Sequence, residues 1–273
     1  MTEKEPIMTK IAYYPGCTLK NKARALDDEA RAAARLLGYE FDEIDEWQCC
    51  GGAFTTSRDE IATKLAAARA LTWARDHGGR VVTVCSACYN VLKQTNAAFR
   101  TDSEFAAKVS RYEKTDPPYR GEAEVVHWFE LLRDEIGFDK LRAAVKKPLK
   151  GRKIAPYYGC LLLRPSETLA FDSPENPTVM EDFIRALGAD SVRYAMRNEC
   201  CGGYLTLEDR DAAKKRSAAV LNSAVEMGAD CMITACPLCL YNLTKNAAGP
   251  LEIRYFTDVL AEALGLKEGG ENA

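Results

Sequence analysis

The sequence predicts an α/β protein of two pseudo-twofold-related lobes, each a small parallel sheet with helices around a five-cysteine site. Three observations predict it. Short β-branched runs alternate with Ala- and Leu-rich helical stretches. A five-cysteine spacing occurs twice, and the residues flanking those cysteines repeat with it. The chain has 273 residues, which at ~150 residues per domain gives about two domains. Hydrophobic residues at 47% and charged residues at 28% are a globular mixture and exclude disorder, collagen and coiled coil.

The elements follow in order. Lys10 to Tyr14 reads as a strand running into Cys17, and Ala23 to Leu37 as a helix stopped by Gly38. Residues 39–48 supply a second strand before a Cys-Cys-Gly-Gly turn, whose glycines let the backbone approach a ligand closely. Arg58 to His77 is a helix ended by Gly78-Gly79. Val81 to Val84 is a buried strand that delivers Cys85, and Ala87 to Phe99 is the next helix. His127-Trp128-Phe129 and Arg254-Tyr255-Phe256 each open an apolar helical stretch ending at Gly137 and Gly265. The second lobe repeats the order: strand Lys153 to Tyr158, helix Thr178 to Leu187, Cys-Cys-Gly-Gly turn, helix Asp209 to Met227, strand Cys231 to Thr234, then a helix through Cys239. The lobes are expected at 10–147 and 148–267. Between them, Asp139 to Lys153 is a basic link, either solvated or a docking stripe for an acidic partner.

Eleven cysteines carry the chemical signal. Cys17 is followed by 31 residues, Cys49-Cys50, 34 residues, and Cys85-x2-Cys88. Cys160 is followed by 39 residues, Cys200-Cys201, 34 residues, and Cys236-x2-Cys239. Tyr13-Tyr14-Pro15-Gly16-Cys17 pairs with Tyr157-Tyr158-Gly159-Cys160, and Cys88-Tyr89-Asn90 resembles Cys239-Leu240-Tyr241-Asn242. A lone C-x2-C is a weak signal, but two such constellations point to metal or cluster ligation rather than disulfides. Open α/β sheets place ligands at strand ends, where these cysteines fall. Structural zinc and ordinary iron–sulfur clusters each use four ligands, so a fifth thiolate is redundant, bridges two irons or changes the cluster's shape. Adjacent side chains do not easily reach opposite corners of one cube, and one of them bridging irons in an opened cluster is a natural solution. The ferredoxin run C-x2-C-x2-C-x3-C-P and a G-x-G-x-x-G fingerprint are both absent, so electrons are expected from another protein of a complex.

These motifs, with Asn198-Glu199-Cys200-Cys201-Gly202-Gly203-Tyr204 and Pro156-Tyr157-Tyr158-Gly159-Cys160-Leu161-Leu162-Leu163-Arg164-Pro165, resemble the tandem cysteine-rich (CCG) domains of the heterodisulfide reductase B subunit over roughly residues 10–265. The resemblance implies two noncubane [4Fe–4S] clusters, one on Cys17, Cys49, Cys50, Cys85 and Cys88, the other on Cys160, Cys200, Cys201, Cys236 and Cys239. It also implies a small disulfide reduced between them (the CoB–CoM heterodisulfide type of oxidoreductase), with a ferredoxin-like C subunit as electron donor and a flavin-containing A subunit behind it. One [4Fe–4S] cluster plus one zinc stays open as an alternative loading. The competing functions are an electron relay for another oxidoreductase, such as a hydroxy-acid dehydrogenase, and a zinc-binding scaffold. A thioredoxin-like exchanger leaves eight cysteines unexplained.

Other residues are weighed singly. Cys231 is a core thiol or, less readily, an exchanging redox thiol. Lys20 and Arg164 are guessed to bind an acidic substrate group, against a plain surface role. His77 ends a helix and His127 is expected half-buried; neither is expected as a ligand. Tyr14, Tyr158, Tyr89 and Tyr241 are expected in the aromatic core, with a hydroxyl toward cluster or substrate as the alternative. The net charge of −3 and pI near 5.7 disfavour nucleic acid. No apolar run reaches the ~20 residues of a membrane span. The first eight residues are charged, hold a proline and lack an apolar core, so a cytoplasmic location is expected.

Overall fold

The computed structural model describes residues 8–52, 61–247, 249 and 251–267. The first lobe is a four-stranded parallel sheet in the order β2-β1-β3-β4, built from β1 (Thr9–Tyr13), β2 (Tyr39–Glu43), β3 (Arg80–Thr83) and β4 (Glu124–His127). The second has the same order, β6-β5-β7-β8, from β5 (Lys153–Tyr157), β6 (Asp190–Ser191), β7 (Cys231–Thr234) and β8 (Glu252–Tyr255). Parallel neighbours need crossover connections, and helices supply them. They are α1 (Cys17–Asn21), α2 (Arg24–Leu36), α3 (Ala62–Asp76), α4 (Ser86–Thr101), α5 (Ser103–Glu113), α6 (Trp128–Glu130) and α7 (Phe138–Ala144) in the first half. In the second they are α8 (Ser166–Leu169), α9 (Val179–Ala186), α10 (Arg210–Glu226), α11 (Pro237–Asn246) and α12 (Phe256–Ala263).

Local chemistry explains the elements. In α2, Leu26, Ala30, Ala33 and Ala34 are buried at helical spacing, and Gly38 ends the turn with φ 93°. Asp209 caps α10 by accepting from the Asp211 and Ala212 N–H groups, and Asp102 caps α5 through Phe105 N–H. His127 and Glu130 form a reciprocal cap on α6: Phe129 N–H donates to His127 Nδ1 at 3.2 Å, and His127 N–H to the Glu130 carboxylate at 2.7 Å.

Several elements depart from the expectation. The stretches expected to turn helical at His127 and Arg254 are strands β4 and β8 up to His127 and Tyr255, and helix starts only at Trp128 and Phe256. Four-residue strands paired on one edge only (β4 with β3, β8 with β7) are too short for a period-2 signal. Beyond α6 the chain makes a π-helical turn over Leu131–Ile136, ended at Gly137. The basic link is partly ordered: α7 occupies its start with Leu141 buried, and the Lys146 and Lys147 N–H groups both reach the Ala263 carbonyl at 2.9 Å. Its Arg152 side chain is held by Asp230 and Glu252. Helix α3 starts at Ala62; the expected portion over residues 58–60 lies outside the described residues.

The two lobes share one core. Phe129 of the first packs against Phe256 at 4.4 Å with the rings tilted by 31° and meets Phe183 edge-on at 5.0 Å. Thr257 Oγ donates to the Leu26 carbonyl at 3.0 Å, tying α12 to α2. His127 is fully buried in this core, not half-buried, because its ring packs on Phe129, Phe256 and Tyr89.

Burial depresses the His127 pKa to about 3. The unfolded chain binds this proton near pH ~6.5, so the folded state loses stability as pH falls from ~6.5 toward 3, with a limiting slope of ~1.4 kcal/mol per pH unit. His127→Asn keeps a capping acceptor and removes the titration. Its urea midpoint should fall less steeply than the wild type's between pH 7 and 5; parallel curves would refute the assignment.

Candidate metal centre

Each lobe brings its five sequence-marked thiols to the C-terminal edge of its sheet. In the first, β1 ends at Tyr13 and the chain turns through Gly16 into α1, whose first residue is Cys17. The loop after β2 carries Cys49 and Cys50. The chain leaving β3 places Cys85 at the N-cap of α4 and Cys88 in its first turn. Cys49 Sγ lies 3.4 Å from Cys17 Sγ, and Cys50 Sγ lies 3.5 Å from Cys88 Sγ. Cys88 also interacts with Cys85. In the second lobe Cys201 Sγ lies 3.5 Å from Cys239 Sγ, Cys200 contacts Cys160 and Cys201, and Cys236 contacts Cys239. The Cys85 and Cys236 N–H groups reach the Thr83 and Thr234 hydroxyls, each at 3.3 Å.

The backbone is shaped around the sulfurs. Gly16 has φ 77°, and a Cβ there would sit 2.7 Å from Cys88 Sγ, so no side chain fits. Gly202 N–H donates to Cys200 Sγ at 3.4 Å. Contacts with the Cys49 and Cys88 sulfurs bring Cys50 down to about 5, and contacts with Cys160 and Cys201 bring Cys200 to about 2. The same sulfur–sulfur contacts, with burial, push Cys17, Cys88 and Cys239 up. Each set thus favours at least one thiolate, the ligand form.

The sulfurs are arranged in close pairs. No three Cys, His, Asp or Glu side chains among the described residues are set out to hold a single ion. The pairs are slightly closer than the ~3.8 Å edge of a tetrahedron built on ~2.3 Å zinc–sulfur bonds. Five thiols spread as pairs suit a group larger than one ion. The first set lines a cavity of about 50 Å³ whose far wall is Pro237 and Leu238 of the other lobe. The donor set, the thiolate bias and the cradle at Gly16 all fit an iron–sulfur cluster.

The remaining marked residues separate. Tyr14 is buried beside Cys88, Cys50, Cys49 and Cys17, and its hydroxyl donates to the Gln48 carbonyl. Its counterpart is Tyr157, not Tyr158 as the order of the two motifs suggests. Tyr157 sits beside Cys239, Cys201 and Cys200 and donates to the Glu199 carbonyl at 2.7 Å. Both carbonyls immediately precede a vicinal cysteine pair. Counted back from the cysteine without a gap, Tyr14 and Tyr157 both stand three residues before Cys17 and Cys160, and Pro15 aligns with Tyr158. Tyr158 instead donates to Glu181, and Tyr89 to the Leu169 carbonyl at 3.0 Å and to Glu130 at 3.1 Å. Tyr241 is 60% exposed and is not core, because it lies on the outer face of α11 beside Lys245. Lys20 pairs with Glu43 at 2.7 Å. Arg164 donates to the Asn198 and Pro174 carbonyls and to Glu175. Cys231 opens β7, fully buried at the far end of that strand from Cys236, and burial pushes its thiol up to about 12. His77 ends α3, stacked on Trp73. Ser86, Asn242 and Tyr255 escaped the sequence reading. Asn242 donates to the Cys201 carbonyl at 2.8 Å. Ser86 N–H and Oγ each reach the Ala235 carbonyl across the lobes at 2.9 Å.

Two parallel α/β lobes, each closing on five thiols at its strand ends, define a tandem cysteine-rich protein. The CCG cysteine-rich domain family matches twice, at residues 11–93 and 154–244. The chain is 34% identical over 86% of its length to the 8-methylmenaquinol:fumarate reductase membrane anchor subunit of Wolinella succinogenes, covering 81% of that protein. It is 29% identical over 85% of its length to the B subunit of the ferredoxin/F420H2-dependent CoB–CoM heterodisulfide reductase of Methanosarcina acetivorans, covering 78% of it. A crystal structure of a hypothetical protein from Helicobacter pylori shares the fold, with TM-score 0.73 and 13% identity, over 98% of this chain; the chain spans 50% of that one. The chain belongs to the CCG cysteine-rich domain family, in the two-copy form of the heterodisulfide reductase B subunit. The Wolinella and Methanosarcina relatives are both subunits of reductases. No helix among the described residues is long and apolar enough to cross a membrane.

Two glycines beside the first set give a paired test. Gly16→Ala meets Cys88 Sγ at 2.7 Å from a positive φ, whereas a Cβ at Gly52 makes only ordinary contacts from 3.5 Å. Gly16→Ala should destabilise by ~1–3 kcal/mol and Gly52→Ala by far less. Equal denaturation midpoints for the two variants would contradict the cradle.

Proposed function

We propose that the chain is the disulfide-reducing subunit of a heterodisulfide-reductase-type complex. Cys17, Cys49, Cys50, Cys85 and Cys88 hold one noncubane [4Fe–4S] cluster, and Cys160, Cys200, Cys201, Cys236 and Cys239 hold the second. The lobes divide at 10–147 and 148–267, and a ferredoxin-like C subunit and a flavin-containing A subunit stand upstream in the cytoplasm. The observation that carries this reading is the convergence of two five-thiol sets on one inter-lobe seam, with Ser86 of the first bonded to the residue before Cys236 of the second. When bound, such clusters supply electrons one at a time.

The chain's own residues do the rest. Tyr14 and Tyr157 fix the two vicinal pairs through the preceding carbonyls. Gly16 lets the backbone pass Cys88. Cys17 and Cys49 are exposed, leaving one rim of the first set open to solvent. Reducing R–S–S–R′ to two thiols consumes two electrons and two protons, and that open rim is where water supplies the protons. Lys20 and Arg164 receive an acidic substrate group only by exchanging the Glu43 and Glu175 carboxylates they already hold.

The Wolinella relative favours a second reading, in which the chain relays electrons inside a different reductase complex and no disulfide is cleaved.

Iron, sulfide and zinc on anaerobically purified protein test the loading. About eight irons per chain are expected, the content of two four-iron clusters. Four irons with one zinc would remove cleavage between two clusters. Cys50→Ser and Cys201→Ser should each lose or reshape one cluster, and Cys231→Ala neither. Thiol release from a disulfide by the chemically reduced protein would separate reductase from relay.

A further inference from the structure

Tyr255 ends β8 in the seam between the lobes and is 1% exposed. Its hydroxyl lies 2.6 Å from the Val84 carbonyl and 3.0 Å from the Ala235 carbonyl. Those residues immediately precede Cys85 and Cys236. One hydroxyl therefore spans the backbones that carry a thiol of each set. Tyr14 faces only the first set and Tyr157 only the second, whereas Tyr255 is flanked by Cys85, Cys88 and Cys236. A phenol is protonated at neutral pH, so the hydroxyl is a donor to these carbonyls.

The seam explains why a donor is needed there. Ala235 receives the Ser86 N–H and hydroxyl, each at 2.9 Å. By the pseudo-twofold relation, Val84 should receive a matching N–H from the residue after Cys236. That residue is Pro237, which has none. The Tyr255 hydroxyl fills the gap. At the matching strand end the first lobe has His127, whose Nδ1 is used on α6 and whose ring also faces the Val84 backbone.

We infer that Tyr255 is a positioning residue: its hydroxyl clamps the Val84–Cys85 and Ala235–Cys236 peptides and so fixes how the two thiol sets face each other. Without it, the Val84 carbonyl loses its close hydroxyl donor and keeps only the neighbouring His127 ring, and the Val84 and Ala235 carbonyl oxygens face each other across the seam. The peptide before Cys85 must then turn or admit water, and Cys85 moves with it. The inference rests on the reading that both sets carry clusters.

The test compares wild type with Tyr255→Phe, and with Tyr255→Phe combined with Pro237→Ser, as full chains purified anaerobically with their metal. The double variant restores to Val84 the donor pair that Ser86 gives Ala235. Amide exchange reads the clamp directly. In Tyr255→Phe the Ser86 amide should exchange ~10-fold faster while the Val82 amide in β3 is unchanged. With both sets reduced, paramagnetic relaxation reads their mutual geometry. The enhancement of one centre by the other should weaken in Tyr255→Phe at unchanged iron content and return in the double variant. Unchanged exchange and relaxation in Tyr255→Phe would overturn the inference. If Tyr255→Phe does not fold, a double variant that folds with wild-type relaxation supports the clamp, and one that also fails refutes it. A wild type with only one paramagnetic set refutes the two-cluster reading instead, and Ser86 exchange then decides the clamp alone.

Discussion

The seam where the turn at Val84, Cys85 and Ser86 meets the turn at Ala235, Cys236 and Pro237 is the constraint on which the rest depends. Both turns leave the C-terminal end of a central strand and start a helix, so both carry cysteines into the same place. Backbone carbonyls cannot be buried there without donors. Ser86 and Tyr255 supply them, and the aromatic core of Phe129, Phe183 and Phe256 supports the contact from below. If the seam were wet, the two thiol sets would be separate sites on two lobes rather than two walls of one junction.

Inside each lobe the division of labour is the same. Strand ends and helix starts carry the thiols, a buried tyrosine holds the carbonyl before the vicinal pair, and a glycine yields space to sulfur. The lobes differ in their surroundings. Cys17 and Cys49 are exposed where Cys160 and Cys200 are half-buried. The Cys200 carbonyl is gripped by Arg216, which is itself neutralised by Glu199. The second set is thus the more enclosed, and the first is the one that meets solvent.

Much of this was legible in the sequence because it is local. Cysteine spacing, the Cys-Cys-Gly-Gly turns and the β-branched run at Val81 placed the thiols at strand ends, where the structure has them. The strand endings at His127 and Tyr255 were not legible, because four-residue strands at a sheet edge carry no usable periodicity. Tyr157 was hidden because matching the two Tyr-Tyr pairs sets Tyr14 against Tyr158, whereas counting back from each cysteine sets it against Tyr157. Tyr241 lies outside the expected core because proximity to a cysteine in sequence says nothing about which helix face a side chain takes. Ser86 and Tyr255 act through partners some 150 and 170 residues away, which no local pattern encodes.

The wall that Pro237 and Leu238 give to the first cavity bears on the origin of the duplication. A lobe severed from its twin keeps its five thiols and loses the far side of their enclosure. A single-lobe ancestor could recover that side only from a second copy, in an isologous dimer. In such a dimer the residue after the first cysteine of C-x2-C is identical on both sides, so a proline there strips both carbonyls of a backbone donor and a serine serves both. Only after the copies were joined in one chain could one half keep a serine while the other took a proline and a compensating tyrosine.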